Sequence, residues 1–365
     1  MIRLLGLGLA LVGVAAGAST ATWKPLPRAP IAGRIAAGTV WTGKEVLVVG
    51  GVSGTEKTDV SDGAAYNPAT RTWRKLPAGS GVTGDVEAAA WTGHTAVFWA
   101  GNSPMGPVRG AVYDPSTNRW RRLPSGPLGP REGYWSAWTG KELLIVGGTS
   151  GDGFAGPVAA AVDPETGSWR VLKGLKTLVG LLQYGTFWTG SRVIIVGKRC
   201  VTPDRGSTCT KYRPVFVSYD PATDTRRQLG TTSPPDADRG LISIGWYRHE
   251  ALFLYAPTQR ILGYDPATGR WHAGAAAPCT LSWSHTYWQT AWLGDRYVAA
   301  CGKTSLQVYD PARDRWTIVL AGPSPLNSRS WSAIAWTGRE LFAWSGTIYA
   351  SGNPTPANGA SIVLR

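Results

Sequence analysis

The chain has few of several residue types on which many folds and sites depend. Its 365 residues include two methionines, six phenylalanines, four histidines and four cysteines. Acidic residues are also scarce, because 23 Asp and Glu stand against 37 Lys and Arg, which leaves a formal net charge of +14. Four cysteines with no Cys-x-x-Cys pair, together with few histidines, argue against a metal site. Beyond the first residues no apolar run is long enough to span a bilayer, so we expect no transmembrane anchor.

The first 18 residues have the pattern of a secretory signal peptide. Arg3 supplies the positive charge, residues 4–15 form the apolar segment, and Ala16-Gly17-Ala18 is a small-residue cleavage site. No cysteine follows that site, which argues against a lipoprotein anchor. The pattern predicts a secreted or periplasmic protein whose mature part, residues 19–365, is one domain. Nucleic acid is not an expected partner of an exported protein that lacks a basic cluster on one element.

What the sequence does contain is one motif repeated seven times. Each copy begins at a tryptophan, usually within a Trp-Thr-Gly turn, and successive tryptophans are 44 to 58 residues apart. An apolar run follows, then in six copies an Asp-Pro or Asn-Pro turn, and in five copies a second tryptophan six residues later. The first tryptophans are Trp41, Trp91, Trp138, Trp188, Trp246, Trp292 and Trp336. A period of this size indicates one supersecondary unit that needs its neighbours to bury its apolar faces.

Each unit is predicted to form four antiparallel strands. The first strand ends at the Trp-Thr-Gly turn, the β-branched run forms the second, and the third ends at the Asp-Pro turn. The fourth carries the trailing tryptophan and alternates apolar with basic residues, as in Trp120-Arg121-Arg122-Leu123. Those basic residues either keep an outer rim soluble or attract anionic envelope polymers. The fold class is therefore all-β, and four-stranded sheets at this period are typical blades of a β-propeller.

The two ends of the chain predict how such a ring would close. The seventh copy stops after its third strand, around Ile362, and the missing fourth strand is found at the N-terminus around Trp23. Trp23 precedes Trp41 by 18 residues, as Trp73 precedes Trp91. We therefore expect a seven-bladed β-propeller of four-stranded antiparallel blades, with the N-terminal strand closing the last blade.

Three features together resemble the Kelch-repeat family, whose fold is related to the central domain of galactose oxidase. They are the glycine doublets such as Gly147-Gly148, the Tyr-Asp-Pro turns such as Tyr113-Asp114-Pro115, and the trailing tryptophans. The resemblance covers nearly the whole mature chain and implies a single Kelch-like β-propeller domain over residues 19–365. Copper chemistry like that of galactose oxidase needs converging histidines and tyrosines, whereas the four histidines here are scattered. No copper, other metal or cofactor is therefore expected.

Four cysteines in an exported chain favour disulfides. Cys200 and Cys209 bracket a connection of the fourth copy, while Cys279 and Cys301 lie in two connections that emerge on the same face of a propeller. We expect two disulfides, Cys200–Cys209 and Cys279–Cys301.

A recurrent basic position marks the first candidate binding site. Seven residues before the first tryptophan, four copies place arginine and a fifth places histidine: Arg34, Arg131, Arg239, Arg329 and His285. This position should open the innermost strand and ring one channel mouth, with Tyr134, Tyr184 and Tyr287 just inside. Kelch domains that bind acidic peptides have arginines at similar places, and guanidinium forks suit carboxylate or phosphate. The predicted ligand is an anionic small molecule, a glycan or an acidic protein segment. The alternative is that these arginines pair with carbonyls of a neighbouring blade.

A second candidate is the basic connection of residues 198–214, which begins with Lys198 and Arg199. Insertions commonly mark the binding face of a repeat array, although a surface loop can also be basic without function. Together the two candidates predict a monomeric binding module. The alternative is an enzyme acting on an acidic sugar, similar to a sialic acid epimerase and without copper redox chemistry. Glu87 or Glu132 beside the arginines would then supply acid–base catalysis, although no motif identifies a catalytic residue.

Overall fold

The computed structural model describes eleven segments of the chain, and all structural statements below concern these segments. They are residues 19–54, 58–101, 109–149, 157–178, 181–200, 212–230, 241–280, 290–322, 329–330, 332–348 and 355–364. This part of the chain is all-β, with one short 3-10 helix at Lys173–Leu175. Within it, no helix has both the length and the apolar character needed to cross a membrane.

The described strands form six four-stranded sheets, one five-stranded sheet and two smaller ones. The N-terminal segment contributes β1 (Ser19–Thr20), β2 (Lys24–Pro25) and β3 (Arg34–Ile35). The first sheet consists of β4 (Gly38–Trp41), β5 (Val46–Val49), β8 (Gly63–Asn67) and β9 (Thr72–Lys75). A small sheet is formed by β3, β6 (Val52–Ser53) and β7 (Thr58–Asp59), in which β6 pairs with β3 on one side and with β7 on the other.

The next three sheets follow the predicted order of four consecutive strands. The second sheet consists of β10 (Ala88–Trp91), β11 (Ala96–Ala100), β12 (Arg109–Asp114) and β13 (Arg119–Arg122). The third consists of β14 (Glu132–Trp138), β15 (Leu143–Thr149), β16 (Ala159–Val162) and β17 (Trp169–Val171). The fourth consists of β18 (Leu181–Trp188), β19 (Val193–Cys200), β20 (Tyr212–Asp220) and β21 (Thr225–Gln228).

The last three sheets keep the same order, with additions from the N-terminus. The fifth sheet consists of β22 (Leu241–Tyr247), β23 (Glu250–Tyr255), β24 (Arg260–Asp265) and β25 (Arg270–Ala276). The sixth consists of β26 (Thr290–Trp292), β27 (Tyr297–Cys301), β28 (Ser305–Asp310) and β29 (Arg315–Leu320), joined by β1. The seventh consists of β31 (Ala333–Trp336), β32 (Glu340–Trp344), β34 (Gly359–Val363) and β2, while β30 (Arg329–Ser330) pairs with β33 (Thr347–Ile348).

The first strands of the sheets contact one another in chain order. β4 contacts β10, β10 contacts β14, and the series continues through β18, β22, β26 and β31, which contacts β4 again. The second strands lie between neighbours on both faces, so their side chains are buried continuously, as along Val46–Val49. Hydrophobic clusters fill the space between each sheet and the next, including one between the seventh and the first. The arrangement is compatible with a propeller-like fold.

Four of the five trailing tryptophans bond to the sheet before their own, whereas Nε1 of Trp271 has no hydrogen-bond partner among the described residues. The Nε1 of Trp120 donates to the carbonyl oxygen of Pro77 at 2.9 Å, and the Nε1 of Trp169 donates to that of Pro124 at 3.0 Å. Where the third strand carries a tyrosine the ring also packs on it, as Trp120 does on Tyr113 with ring centroids 4.9 Å apart. The tryptophan therefore supplies both apolar burial and a directional bond between sheets.

The fourth sheet lacks this tryptophan and compensates with the 3-10 helix. Arg226 occupies the tryptophan position and is exposed. The helix Lys173–Leu175 packs on this sheet instead, and its Leu175 is fully buried in the same cluster as Tyr219. Two main-chain N–H groups of the helix donate to the carboxylate of Asp224. An apolar residue from the connection thus fills the space that an aromatic ring fills elsewhere.

The N-terminal segment pairs with two sheets. β2 pairs antiparallel with β34, with Lys24 opposite Ser361, so the expected pairing of the two chain ends is present. β1 also pairs with β29 in parallel, which the repeat pattern did not predict. The N–H of Ala21 donates to the carbonyl of Leu320, four residues after Trp316, where the tryptophan of the next sheet would otherwise donate. Trp23 is correspondingly buried with no partner for its Nε1 among the described residues.

Candidate functional site

The three described arginines of the recurrent basic position are buried. Arg34, Arg131 and Arg329 expose 1%, 6% and 6% of their surface. Each lies just before or at the start of the first strand of its sheet, at the end where the second strand turns into the third. We call these three side chains the arginine clamps, because each of them bonds to main chain from separate segments.

Arg131 donates to carbonyl oxygens on both sides of the connection between β15 and β16. Its Nη1 lies 3.0 Å from the oxygen of Gly147 and 3.4 Å from that of Val158. Its Nη2 donates to Pro157 at 3.2 Å, and its Nε donates to Gly129 at 3.2 Å. One guanidinium therefore bonds to both ends of this connection and holds them together.

Arg34 repeats this arrangement and adds an ion pair. Its Nη1 donates to the carbonyls of Gly50 at 3.0 Å and Asp62 at 3.1 Å, and it lies 2.8 Å from Oδ1 of Asp62. Its Nη2 is buried with no hydrogen-bond partner among the described residues. The N–H of Arg34 donates to Oγ of Ser345 at 2.6 Å, which ties the first sheet to the seventh.

Arg329 forms the third clamp, using the residues that correspond in its own repeat. Its Nη1 donates to the carbonyls of Ser345 at 3.3 Å and Asn358 at 3.0 Å, and its Nη2 donates to Oδ1 of Asn358 at 2.7 Å. The accepting carbonyl is in each case the first residue of the doublet that ends the second strand. Gly50, Gly147 and Ser345 all have positive φ there, which turns the carbonyl towards the arginine.

The main chain at the clamp position joins each sheet to the preceding one. The N–H of Arg131 donates to the oxygen of Gly101 at 2.7 Å, and the N–H of Gly346 donates to the oxygen of Arg34 at 3.1 Å. In the second sheet Gly84 occupies the position without a side chain, yet the N–H of Gly51 still donates to it at 2.9 Å. The main-chain link is thus kept where the arginine is not.

These contacts agree in part with the alternative from the sequence analysis, in which the arginines pair with carbonyls of a neighbouring repeat. The guanidinium groups do bond to carbonyls, but mainly to those of their own sheet, and the main chain makes the bonds to the neighbour. Burial lowers the pKa of Arg131 and Arg329. Both remain cations at neutral pH, since an arginine in a protein does not lose its proton. Carbonyl dipoles solvate the charge of Arg131 without neutralising it, so a positive potential remains beside it at this end of the sheets.

The hydroxyl of Tyr134 is hydrogen-bonded to the main chain of the preceding sheet. Its hydroxyl donates to the carbonyl of Trp99 and accepts from the N–H groups of Glu87 and Gly101, each at 3.2 Å. Its ring meets that of Trp99 edge to face, with centroids 4.8 Å apart. Burial raises the pKa of the Tyr134 hydroxyl, and the charge of Glu87 raises it further. Tyr134 therefore links the second and third sheets.

The basic residues of the fourth sheet lie at the same end as the clamps. Lys198 and Arg199 are partly exposed near the end of β19, and Arg199 stands directly opposite the exposed Arg213 of β20. The Nη1 of Arg199 donates to the carbonyl of Thr177 at 2.9 Å. Like charges directly opposite on antiparallel strands are unfavourable, so this pair is a place where a bound anion would be stabilising.

Several predicted site residues lie outside the described part of the chain. These are Arg239, His285 and Tyr287, and for Tyr184 the main chain but not the side chain is described. Of Glu132 and Cys200, too, the main chain is described but not the side chain. Cys209 lies outside the described residues, so the expected Cys200–Cys209 bond stays a prediction.

The second expected disulfide is present. Cys279 and Cys301 are bonded, with Cα atoms 5.4 Å apart. The buried amide of Gln307 fixes this junction, because it accepts from the N–H of Cys279 and donates to the carbonyls of Cys279 and Ala300. A disulfide suggests an oxidising compartment. Among the described residues, no group of three or more His, Cys, Asp or Glu is arranged to hold a metal ion.

The opposite end of the sheets carries a second set of ionic links. Arg74 binds Glu45 through two bonds of 2.9 and 2.6 Å and donates to the hydroxyl of Tyr113 in the next sheet at 3.0 Å. Arg170 binds Glu142 through bonds of 2.8 and 2.7 Å. The carboxylate partner raises the pKa of both arginines. These two residues are therefore inter-sheet links rather than free charges of a soluble rim.

Sequence reasoning missed the residues that complete the clamps. Ser345 stands at the doublet position that Gly50 and Gly147 occupy, so the repeat could have identified it. Asp62 and Asn358 lie just before a third strand, after connections with no repeated pattern, so no signal in the sequence identified them. No protein-family model matches the sequence, and no curated protein matches it. The functional proposal therefore depends on the geometry of the described residues.

Proposed function

We propose that the seven sheets are the blades of a single Kelch-like β-propeller, with β2 completing the last blade. The contacts of the first strands support this, because they run in chain order and return from β31 to β4. The apolar clusters between consecutive sheets support it too, since a blade buries its faces only against its neighbours.

We propose further that this propeller is an exported, monomeric binding module, secreted or periplasmic, which holds an anionic ligand or an acidic segment of a partner protein. The site lies at the end of the blades where the second strand connects to the third. The observation that carries the proposal is the pair Arg199 and Arg213, which lie directly opposite each other on β19 and β20 with Lys198 beside them. An anion between the two guanidinium groups would relieve their repulsion and accept charge-assisted hydrogen bonds.

The arginine clamps contribute to this site through their field. Most of the donor groups of Arg131 and Arg34 are already bonded to carbonyls, so direct contact with a ligand would require breaking those bonds. The charge of Arg34 is paired with that of Asp62, but the charge of Arg131 persists in a buried setting, where screening by salt is weaker than at the surface. The clamps would thus draw an anion to this end while the exposed residues of the fourth sheet bind it.

The test is binding of a fluorescein-labelled ten-residue oligoglutamate, measured by fluorescence anisotropy at several salt concentrations. We expect affinity to fall as salt rises, and the double variant Arg199→Gln/Arg213→Gln to bind at least about tenfold more weakly. The double variant Arg270→Gln/Arg315→Gln removes the same charge from two exposed residues at the opposite end of the blades and serves as the matched control. Equal affinity of the two double variants would show that only net charge matters and would refute the proposed site.

A further inference from the structure

The seam between the second and third sheets lacks the ionic link found at two other seams. At those two seams a glutamate at the start of the second strand binds the arginine that follows the trailing tryptophan: Glu45 binds Arg74, and Glu142 binds Arg170. Tyr113 or Tyr219 of the next sheet packs beside that pair. At this seam Thr95 stands in place of the glutamate and Val162 in place of the tyrosine, so both the carboxylate and the ring are missing.

The arginine of the link is nevertheless kept. Arg121 follows Trp120 as Arg170 follows Trp169, and its Nη2 donates to the carbonyl of Pro164 as that of Arg170 donates to Pro221. Its other bond to the described residues, to the carbonyl of Glu165, also uses Nη2. Both N–H groups of Nη2 are therefore in use, and the donor left for a carboxylate on the corresponding edge of Arg121 is Nε. The Thr95 hydroxyl does not fill that position, because it turns back to the hydroxyl of Thr92 at 3.0 Å.

A cavity of about 380 Å³ occupies this place. Arg121, Thr95 and Pro164 line it, as do the apolar side chain of Val112 and the base of the exposed Arg119. Its volume lies in the range of small-molecule sites, which is about 300–1,000 Å³. Thr95 lines the cavity directly. Val162 does not, but it stands at the position from which Tyr113 and Tyr219 reach the corresponding arginines at the other two seams, so a tyrosine there would extend towards Arg121.

Two arginines and two acids line the cavity, and each acid already has a partner within the chain. The oxygens of Asp114 accept from Ser116 and Thr117, and those bonds keep its pKa low. Glu165 lies 2.9 Å from His94. The donors of the lining that neither acid occupies belong to Arg121 and Arg119.

We propose that this cavity binds a small organic monocarboxylate. Its carboxylate would take the place of the missing glutamate and bind Arg121, and its apolar body would lie against Val112 and Pro164. The site is at the opposite end of the sheets from the arginine clamps, so it is independent of the function proposed above.

Benzoate is a suitable probe, and neutral benzamide, with the same ring, is its control. Saturation-transfer difference NMR on the full chain should give a millimolar dissociation constant for benzoate and no saturable signal for benzamide. Thr95→Glu would supply the missing carboxylate from within the protein, and Val162→Tyr would fill the cavity without adding charge. Each should weaken benzoate binding at least tenfold, while Thr95→Val, which keeps the size of the side chain, should bind as the parent does.

Thr95→Glu should also raise the melting temperature, because it restores the link present at the neighbouring seams. The proposal is overturned if benzoate does not bind the parent chain, if benzamide binds equally well, or if both Thr95→Glu and Val162→Tyr retain the parent affinity.

Discussion

The Nη1 of Arg131 donates to the carbonyl oxygen of Gly147 across 3.0 Å, although sixteen residues separate them. Arg34 and Gly50 have the same spacing and the same distance. The arginine before the first strand and the glycine at the end of the second strand are thus hydrogen-bonded partners. Their bond holds the start of the first strand against the end of the second, and it places a buried charge at one end of the sheets.

Replacing Arg131 by alanine should destabilise the fold. The change leaves the carbonyls of Gly147 and Pro157 without their buried donor, and we expect a loss of about 2–4 kcal/mol in the free energy of unfolding, measured by urea denaturation. Arg119→Ala, which removes an exposed arginine, should change stability by no more than about 0.5 kcal/mol. Equal stability of the two variants would show that the clamp is not structural.

Deleting residues 19–29 should destabilise the protein by several kcal/mol. The deletion removes the buried side chains of Trp23 and Leu26 and leaves the outer edge of β34 unpaired; loss of a buried tryptophan alone costs about 3–5 kcal/mol. Deleting only residues 19–21 removes β1 and should have a much smaller effect. Differential scanning calorimetry measures both, and a melting temperature equal to that of the parent in the longer deletion would contradict the closure by β2.

Loss of the Cys279–Cys301 bond should cost about 3 kcal/mol, as expected for a loop of this length. The double variant Cys279→Ser/Cys301→Ser should therefore melt below the parent in the absence of reductant. Adding reductant should lower the parent towards the variant. Peptide mapping by mass spectrometry without reduction should recover the two cysteines in one cross-linked peptide, and their recovery in separate peptides would count against the bond.

The Glu142–Arg170 link should contribute about 1–2 kcal/mol, since both side chains are partly exposed and solvent screens the pair. Glu142→Gln keeps the shape and removes the charge. Because Arg170 also interacts with Tyr219, a double-mutant cycle with Tyr219→Phe should give a coupling energy different from zero. Strict additivity of the two changes would mean that the seam does not act as one network.

Alkaline pH should weaken the fold partly through Tyr264. Burial raises the pKa of its hydroxyl to about 12, and the hydroxyl donates to the carbonyl of Gly230 at 2.7 Å. The unfolded chain releases this proton near pH 10, so the contribution of Tyr264 is complete below about pH 10 and disappears as pH rises to about 12.

The difference in urea midpoint between the parent and Tyr264→Phe isolates this effect, because other ionisations cancel. The higher urea midpoint of the parent should approach that of the variant between pH 9 and pH 11, because the unfolded chain releases the Tyr264 proton in that interval while the folded chain keeps it. A difference that stays constant over that interval would show that the pKa of Tyr264 is not raised.

The repeat pattern was sufficient to predict much of the fold. Trp-Thr-Gly and Asp-Pro turns mark strand ends because glycine allows a positive φ and proline fixes φ near the value a turn needs. The described strands end where these turns stand, as β4 does at Trp41 and β12 at Asp114. The pairing of the strand near Trp23 with the strand around Ile362 was predicted from spacing, and the structure adds its register, with Lys24 opposite Ser361. The exchange of tryptophan for Arg226 was visible too, but not its compensation by Leu175, since the 3-10 helix lies in a connection with no repeated pattern.

The candidate site could be predicted only in part from local sequence patterns. Local patterns in the residues predict the all-β architecture, the order of the strands, the pairing of the chain ends and the recurrent arginines. They do not predict that Arg34 and Arg131 are buried clamps while Arg199 and Arg213 face one another near the surface, because that depends on contacts between distant segments. The reason is that a guanidinium takes whichever acceptors the fold brings within reach. For Arg34 those acceptors are 16 and 28 residues away, after two turns of the chain.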